Sequence, residues 1–211
     1  MKIVSFAGCI MEGAPFLTPF QPNGATSTRG MSTEGALRLL GGESLAIERS
    51  ELEKIRACRP ELSEHYGEYE PVHVGTLDGI LLTPVTDAVY LTPSARCPDL
   101  SVYPIHDGVV ASTGASLSMQ AMLGLWGRLR DITSEVTYRG IVHYPTNHLS
   151  SPEWKCRIDS VQSEADRFFH GWKQFTIEPE LAESDGYWAH YSDRAKQNLW
   201  KSIGEWLCIT P

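Results

Sequence analysis

The residues of this chain with the types and spacing for chemistry lie in its middle third. Ala111-Ser112-Thr113-Gly114-Ala115-Ser116 follows the apolar run Gly108-Val109-Val110-Ala111 and opens a helix expected from about Ser116 to Arg130. A strand, a glycine turn and a helix in that order aim free backbone N–H groups and the positive helix end at one point. The hydroxyls of Ser112, Thr113 and Ser116 would add hydrogen bonds, so the chemistry predicted around Gly114 is the binding of a phosphate or a carboxylate. Plain N-capping by Ser112 or Thr113 explains the same residues without a ligand. Arg139, in the strand-like Tyr138-Arg139-Gly140, is a second anion clamp, or one half of a surface ion pair.

Proton transfer would fall to His73, His143 and His148, since imidazole titrates near neutral pH. The segment His143-Tyr144-Pro145-Thr146-Asn147-His148 also offers nitrogen donors close to Glu153. Its two histidines flank a proline turn rather than standing at a regular ligand spacing, so a polar loop after a strand is the simpler reading and no metal is assigned. No Gly-x-Ser-x-Gly elbow is present, and nothing around Cys97 or Cys156 marks a reactive thiol.

His73-Val74-Gly75-Thr76 followed by Val89-Tyr90-Leu91-Thr92 resembles NAD-dependent ADP-ribosyltransferases, which place a His-Gly-Thr-like element and a strand tyrosine around the nicotinamide. The resemblance covers about twenty residues and would make Tyr90 a ligand contact. Val74 interrupts the His-Gly contact, and Glu178 and Glu180 flank a proline and read as a helix terminus. The letters Thr113-Gly114-Ala115-Ser116 overlap those of short-chain dehydrogenases, but the later glycines are missing and the position is mid-chain, which excludes that family.

Several elements must position these groups. Met1 to Phe6 reads as a buried first strand. Gly13 to Gly30, rich in Gly, Pro, Thr and Ser, reads as a long loop or flap. Thr33 caps a helix through Leu40, and Ser50-Glu51-Leu52-Glu53 opens another that stops before Pro60. From Pro71 to Ser112, short β-rich runs at 72–74, 79–82, 88–91 and 100–103 are separated by prolines and glycines, a pattern of antiparallel pairing. Thr137 to Tyr144 is a further strand. Trp154, Ile158, Val161, Ala165, Phe168, Trp172 and Phe175 then hold a helical period behind the start signal Ser151-Pro152. A last helix from Ser192 to Leu207 presents Leu199, Ile203 and Trp206 on one face. The fold expected is α+β: a small, mainly antiparallel sheet with a C-terminal antiparallel helical hairpin. It forms one domain over 1–211, in which 1–70 supplies a strand, a flap loop and short helices, 71–144 the sheet-rich middle with one helix, and 151–208 the hairpin.

A chain of 211 residues with 42% hydrophobic and 21% charged content is an ordinary globular composition. Its net charge of −8 argues against a nucleic-acid partner, and no apolar run is long enough to span a membrane. Five cysteines without a Cys-x-x-Cys pair fit reduced thiols in the cytoplasm. The expectation is a small enzyme binding a phosphorylated or nucleotide-like ligand and carrying out group transfer or hydrolysis. The competing expectation is an acidic interaction or inhibitor module without catalysis. The partner is thus a small anionic ligand or a protein, and the aromatic helix face is a candidate homodimer surface.

Overall fold

Ile3–Phe6 (β1), Gly79–Leu82 (β4), Tyr138–His143 (β5) and Lys173–Thr176 (β6) build the main sheet. The computed structural model describes residues 1–19, 26, 33–46, 53, 68–85, 87, 119–149, 152–180 and 191–209. Every residue of β1 and β4 is buried, the mark of strands covered on both faces. The order is β1-β4-β5-β6 and every pairing is parallel, with Ile3 opposite Gly79, Gly79 opposite Tyr138, and Gly140 opposite Lys173.

The expected antiparallel sheet is therefore overturned. Parallel neighbours need a crossover, and helices fill the connections: Thr33–Leu40 (α1), Met119–Ile132 (α2) and Pro152–Phe168 (α3). Antiparallel pairing survives in Leu45–Ala46 (β2) with Glu68–Tyr69 (β3). The run at 72–74 is a bridge from His73 to Gly41 leading into a 3-10 turn, Val74–Thr76. The runs at 88–91 and 100–103, the helix opened by Ser50 and the start of the helix at Ser116 lie outside the described residues.

The helical hairpin is also replaced. The striped helix stops at Phe168, Gly171 takes a positive φ of 90°, and β6 follows. The final helix, Asp193–Trp206 (α4), is capped by the Ser192 hydroxyl accepting from the Ala195 N–H. The two helices lie on opposite faces of the sheet. His143 meets Asp166 of α3, whereas Tyr138 and Phe175, on the other face, pack edge-on to Trp206 of α4 with centroids 5.3 Å away. Ile158, Val161 and Ala165 of the stripe are buried within this chain.

Two glycines set the spacing under α4. A Cβ on Gly140 would stand 2.8 Å from Leu81 Cδ2 and 3.1 Å from Phe175 Cε2; one on Gly79 would stand 2.6 Å from Ile3 Cδ1. On the α3 side, Trp126 of α2 packs on Phe168 and Phe169, and Phe169 on Trp172. Among the described residues, no helix is long and apolar enough to cross a membrane.

Candidate functional site at the carboxyl edge of the sheet

In an open parallel sheet the strand ends and their following loops converge at the carboxyl edge, where backbone groups are released from the ladder. Here that edge carries Ala7 and Gly8 after β1, Thr83 to Val85 and Asp87 after β4, and Tyr144 to His148 after β5.

The loop after β5 is held tightly. The Gln162 side chain brackets one residue, with its Oε1 accepting from the Tyr144 N–H (2.7 Å) and its Nε2 donating to the Tyr144 carbonyl (3.0 Å). Thr146 donates to Asp159 Oδ1, and Lys155 Nζ reaches both Thr146 Oγ1 and Asp159 Oδ2. Burial works to raise the Asp159 carboxyl, but the Thr146 hydroxyl and the Lys155 hydrogen bond and charge outweigh it, and the group lies below its ordinary value. Gln162 sits level with the strand end, so the preceding ten residues of α3, Pro152 to Val161, rise about 15 Å beyond it as a wall.

His143, the last residue of β5, is nearly buried, yet its Nε2 lies 2.9 Å from Asp166 Oδ1 and 2.6 Å from Gln174 Oε1. Both partners are acceptors, so Nε2 carries the proton and is shared between them. Nδ1 is then the basic nitrogen of the neutral ring, and no hydrogen bond from a described residue reaches it. An imidazole oriented by a carboxylate on one nitrogen and left basic on the other is equipped to accept a proton.

His148 packs edge-on against Tyr191, which also packs against Tyr144. The Tyr144 hydroxyl donates to the Ala7 carbonyl at 2.8 Å, tying the loop after β5 to the turn after β1. Gly8, in that turn, has φ +79°, and a Cβ there would stand 3.1 Å from the Tyr144 hydroxyl.

His143 and His148 therefore share the carboxyl edge. His73 does not join them: it precedes β4 at the opposite edge, with its ring against Gly42. Arg139 is also set apart, about 13 Å down β5 from His143, with its guanidinium 5.8 Å from the Trp172 ring centroid. Ser112, Thr113, Gly114, Ser116 and Tyr90 lie outside the described residues. Among the described residues, no group of three His, Cys, Asp or Glu side chains could hold a metal ion.

Sequence reading missed Asp166, Gln174 and Gln162. Gln162 is a buried polar residue inside the apolar stripe, between Ile158 and Ala165, and Asp166 stands at the stripe's half-exposed flank; nothing in a linear pattern separates such residues from polar ones in water.

A second carboxylate escaped notice as well. Asp87, buried beyond the end of β4, accepts from the Thr33 N–H (3.0 Å), the Thr33 hydroxyl (2.5 Å) and the Trp126 indole N–H (2.8 Å). Desolvation raises its carboxyl above the ordinary value despite these three donors.

Comparison of the chain with models of protein families, with curated proteins and with solved structures finds no match.

Proposed function

We infer that the chain is a small enzyme that takes a phosphorylated or nucleotide-like ligand at the carboxyl edge of its sheet and performs group transfer or hydrolysis. The observation that carries this reading is the His143 ring, with Nε2 held by Asp166 and Gln174 and Nδ1 left without a hydrogen bond from a described residue. In this reading His143 accepts the proton of an attacking hydroxyl or water, and Asp166 stabilises the imidazolium that results. Asp166 of α3 and Gln174 of β6 keep the ring in place. His148 stands at the same edge as a second proton-handling group, and the turn around Ser112, Thr113 and Gly114 is the proposed anion cradle.

The test is thermal unfolding of the wild type and His143→Asn against inorganic phosphate, nucleotides and sugar phosphates, followed by turnover of whichever compound stabilises. A ligand specific to the folded state raises the melting temperature by mass action. The expected result is a rise with a phosphorylated compound in both proteins, and turnover in the wild type alone. No rise with any of these compounds would overturn the reading in favour of an acidic interaction module.

A further inference from the structure

The outer side of β6 has the features of a docking slot. β6 ends the strand order, and the Ile177 N–H donates back to the His143 carbonyl at 3.2 Å. In a parallel ladder alternate residues bond to a given neighbour, so Lys173, Phe175 and Ile177 direct their backbone groups at β5. Gln174 and Thr176 direct theirs outward, where no described residue bonds to them.

A groove of about 560 Å³ runs along this edge. One wall is the whole of β6. The other is a single stripe of α4: Asn198, Leu199, Ser202, Glu205 and Trp206. Four residues of strand and the seven-residue step from Asn198 to Glu205 give the walls matching lengths of about 10–13 Å. Phe175, Leu199 and Trp206 make an apolar floor. Glu178, fixed by the Asn198 amide at 2.8 Å, stands at one end, and the lining holds two carboxylates, Glu178 and Glu205, against one ammonium, Lys173.

We propose that this slot takes an extended, basic segment of a partner protein, which adds to β6 as a fifth strand. Edge addition supplies main-chain hydrogen bonds through Gln174 and Thr176, while alternate small apolar side chains rest on the floor. A second copy of this chain, at net charge −8, would bring like charge to an acidic slot.

The probe is the capped pentapeptide Lys-Val-Thr-Val-Lys, with Glu-Val-Thr-Val-Glu as the control. Amide exchange of the full chain is followed residue by residue by NMR at about 1 mM peptide. The expected result is roughly tenfold slower exchange at Gln174 and Thr176, no change at Phe175, and no effect of the acidic peptide. Two variants with unchanged melting temperature should abolish the slowing. Ser202→Trp fills the slot from an exposed helix position, and Thr176→Pro removes only an outward N–H, which an edge strand tolerates. Unchanged exchange at both residues, or equal slowing in both variants, would overturn the proposal. Protection that grows with protein concentration in the absence of peptide would overturn it too, in favour of self-association.

Discussion

The indole N–H of Trp126 donates to the Asp87 carboxylate, and the same carboxylate receives the N–H and hydroxyl of Thr33 at the start of α1. One buried acid therefore joins α1, α2 and the segment beyond β4.

Removing that acid should be costly. Asp87→Ala leaves three donors in a buried site without their acceptor and should cost about 3 kcal/mol, read by urea denaturation. The raised carboxyl adds a pH signature. Between the ordinary value of 3.8 and its higher folded value, the native state holds more protons than the unfolded chain. Stability then falls as pH rises through that window. Asp87→Asn has no such group, so the wild type's advantage over it should shrink as pH climbs from 3.8; an advantage that widened would refute the assignment.

Asp159 should behave in the opposite sense. Its folded value is depressed, so its contribution is complete above 3.8 and is lost as pH falls through the lower folded value. Wild type and Asp159→Asn should differ in denaturation midpoint at neutral pH and converge in acid. The effect should be small, since the carboxylate is 44% exposed and screened by water.

The face under α4 predicts a coupled pair. Gly140→Ala drives a methyl against Leu81 and Phe175 and should cost about 1–3 kcal/mol. Leu81→Val in the same chain should recover part of that loss, because the 2.8 Å contact is to the Leu81 Cδ2 methyl. A double mutant whose loss equals or exceeds the sum of the two single losses would show that Leu81 is not the obstacle.

Gly8→Ala should destabilise through both its left-handed backbone and the Tyr144 hydroxyl. Tyr144→Phe, losing one hydrogen bond to the Ala7 carbonyl, should cost about 1 kcal/mol. Calorimetric unfolding of the two single variants and the double variant separates the contributions: relief of the Gly8→Ala loss by Tyr144→Phe would assign it to the hydroxyl, and simple additivity to the backbone.

What the sequence made legible follows from how local each signal is. α1 announces itself by its bounds at Thr33 and Gly41-Gly42, although the Thr33 hydroxyl turns out to bond Asp87 rather than cap the helix; α4 announces itself by its apolar face of Leu199, Ile203 and Trp206, and β1 by Ile3, Val4 and Phe6. β6 was hidden because Trp172 and Phe175 happen to continue the helical spacing; the true stop signal was Gly171. Parallel pairing was missed because hydrophobic runs between prolines look alike in either direction, and only the intervening helices decide. His143 and His148 stood out by residue type. Asp166 and Gln174 did not, because their meeting with His143 is made by α3 and β6 passing on either side of it.

The strands of the main sheet lie in the order in which they are made, so each new strand is laid on the outer edge of those already placed as the chain leaves the ribosome. Among the described residues, it is α4, the last helix made, that covers their shared second face. The Trp200 indole then reaches back 190 residues to the Ile10 carbonyl, joining the last helix to the turn after the first strand. A nascent chain halted after β6 would hold a formed sheet without the cover that α4 gives Tyr138 and Phe175, the stage at which it most needs a chaperone.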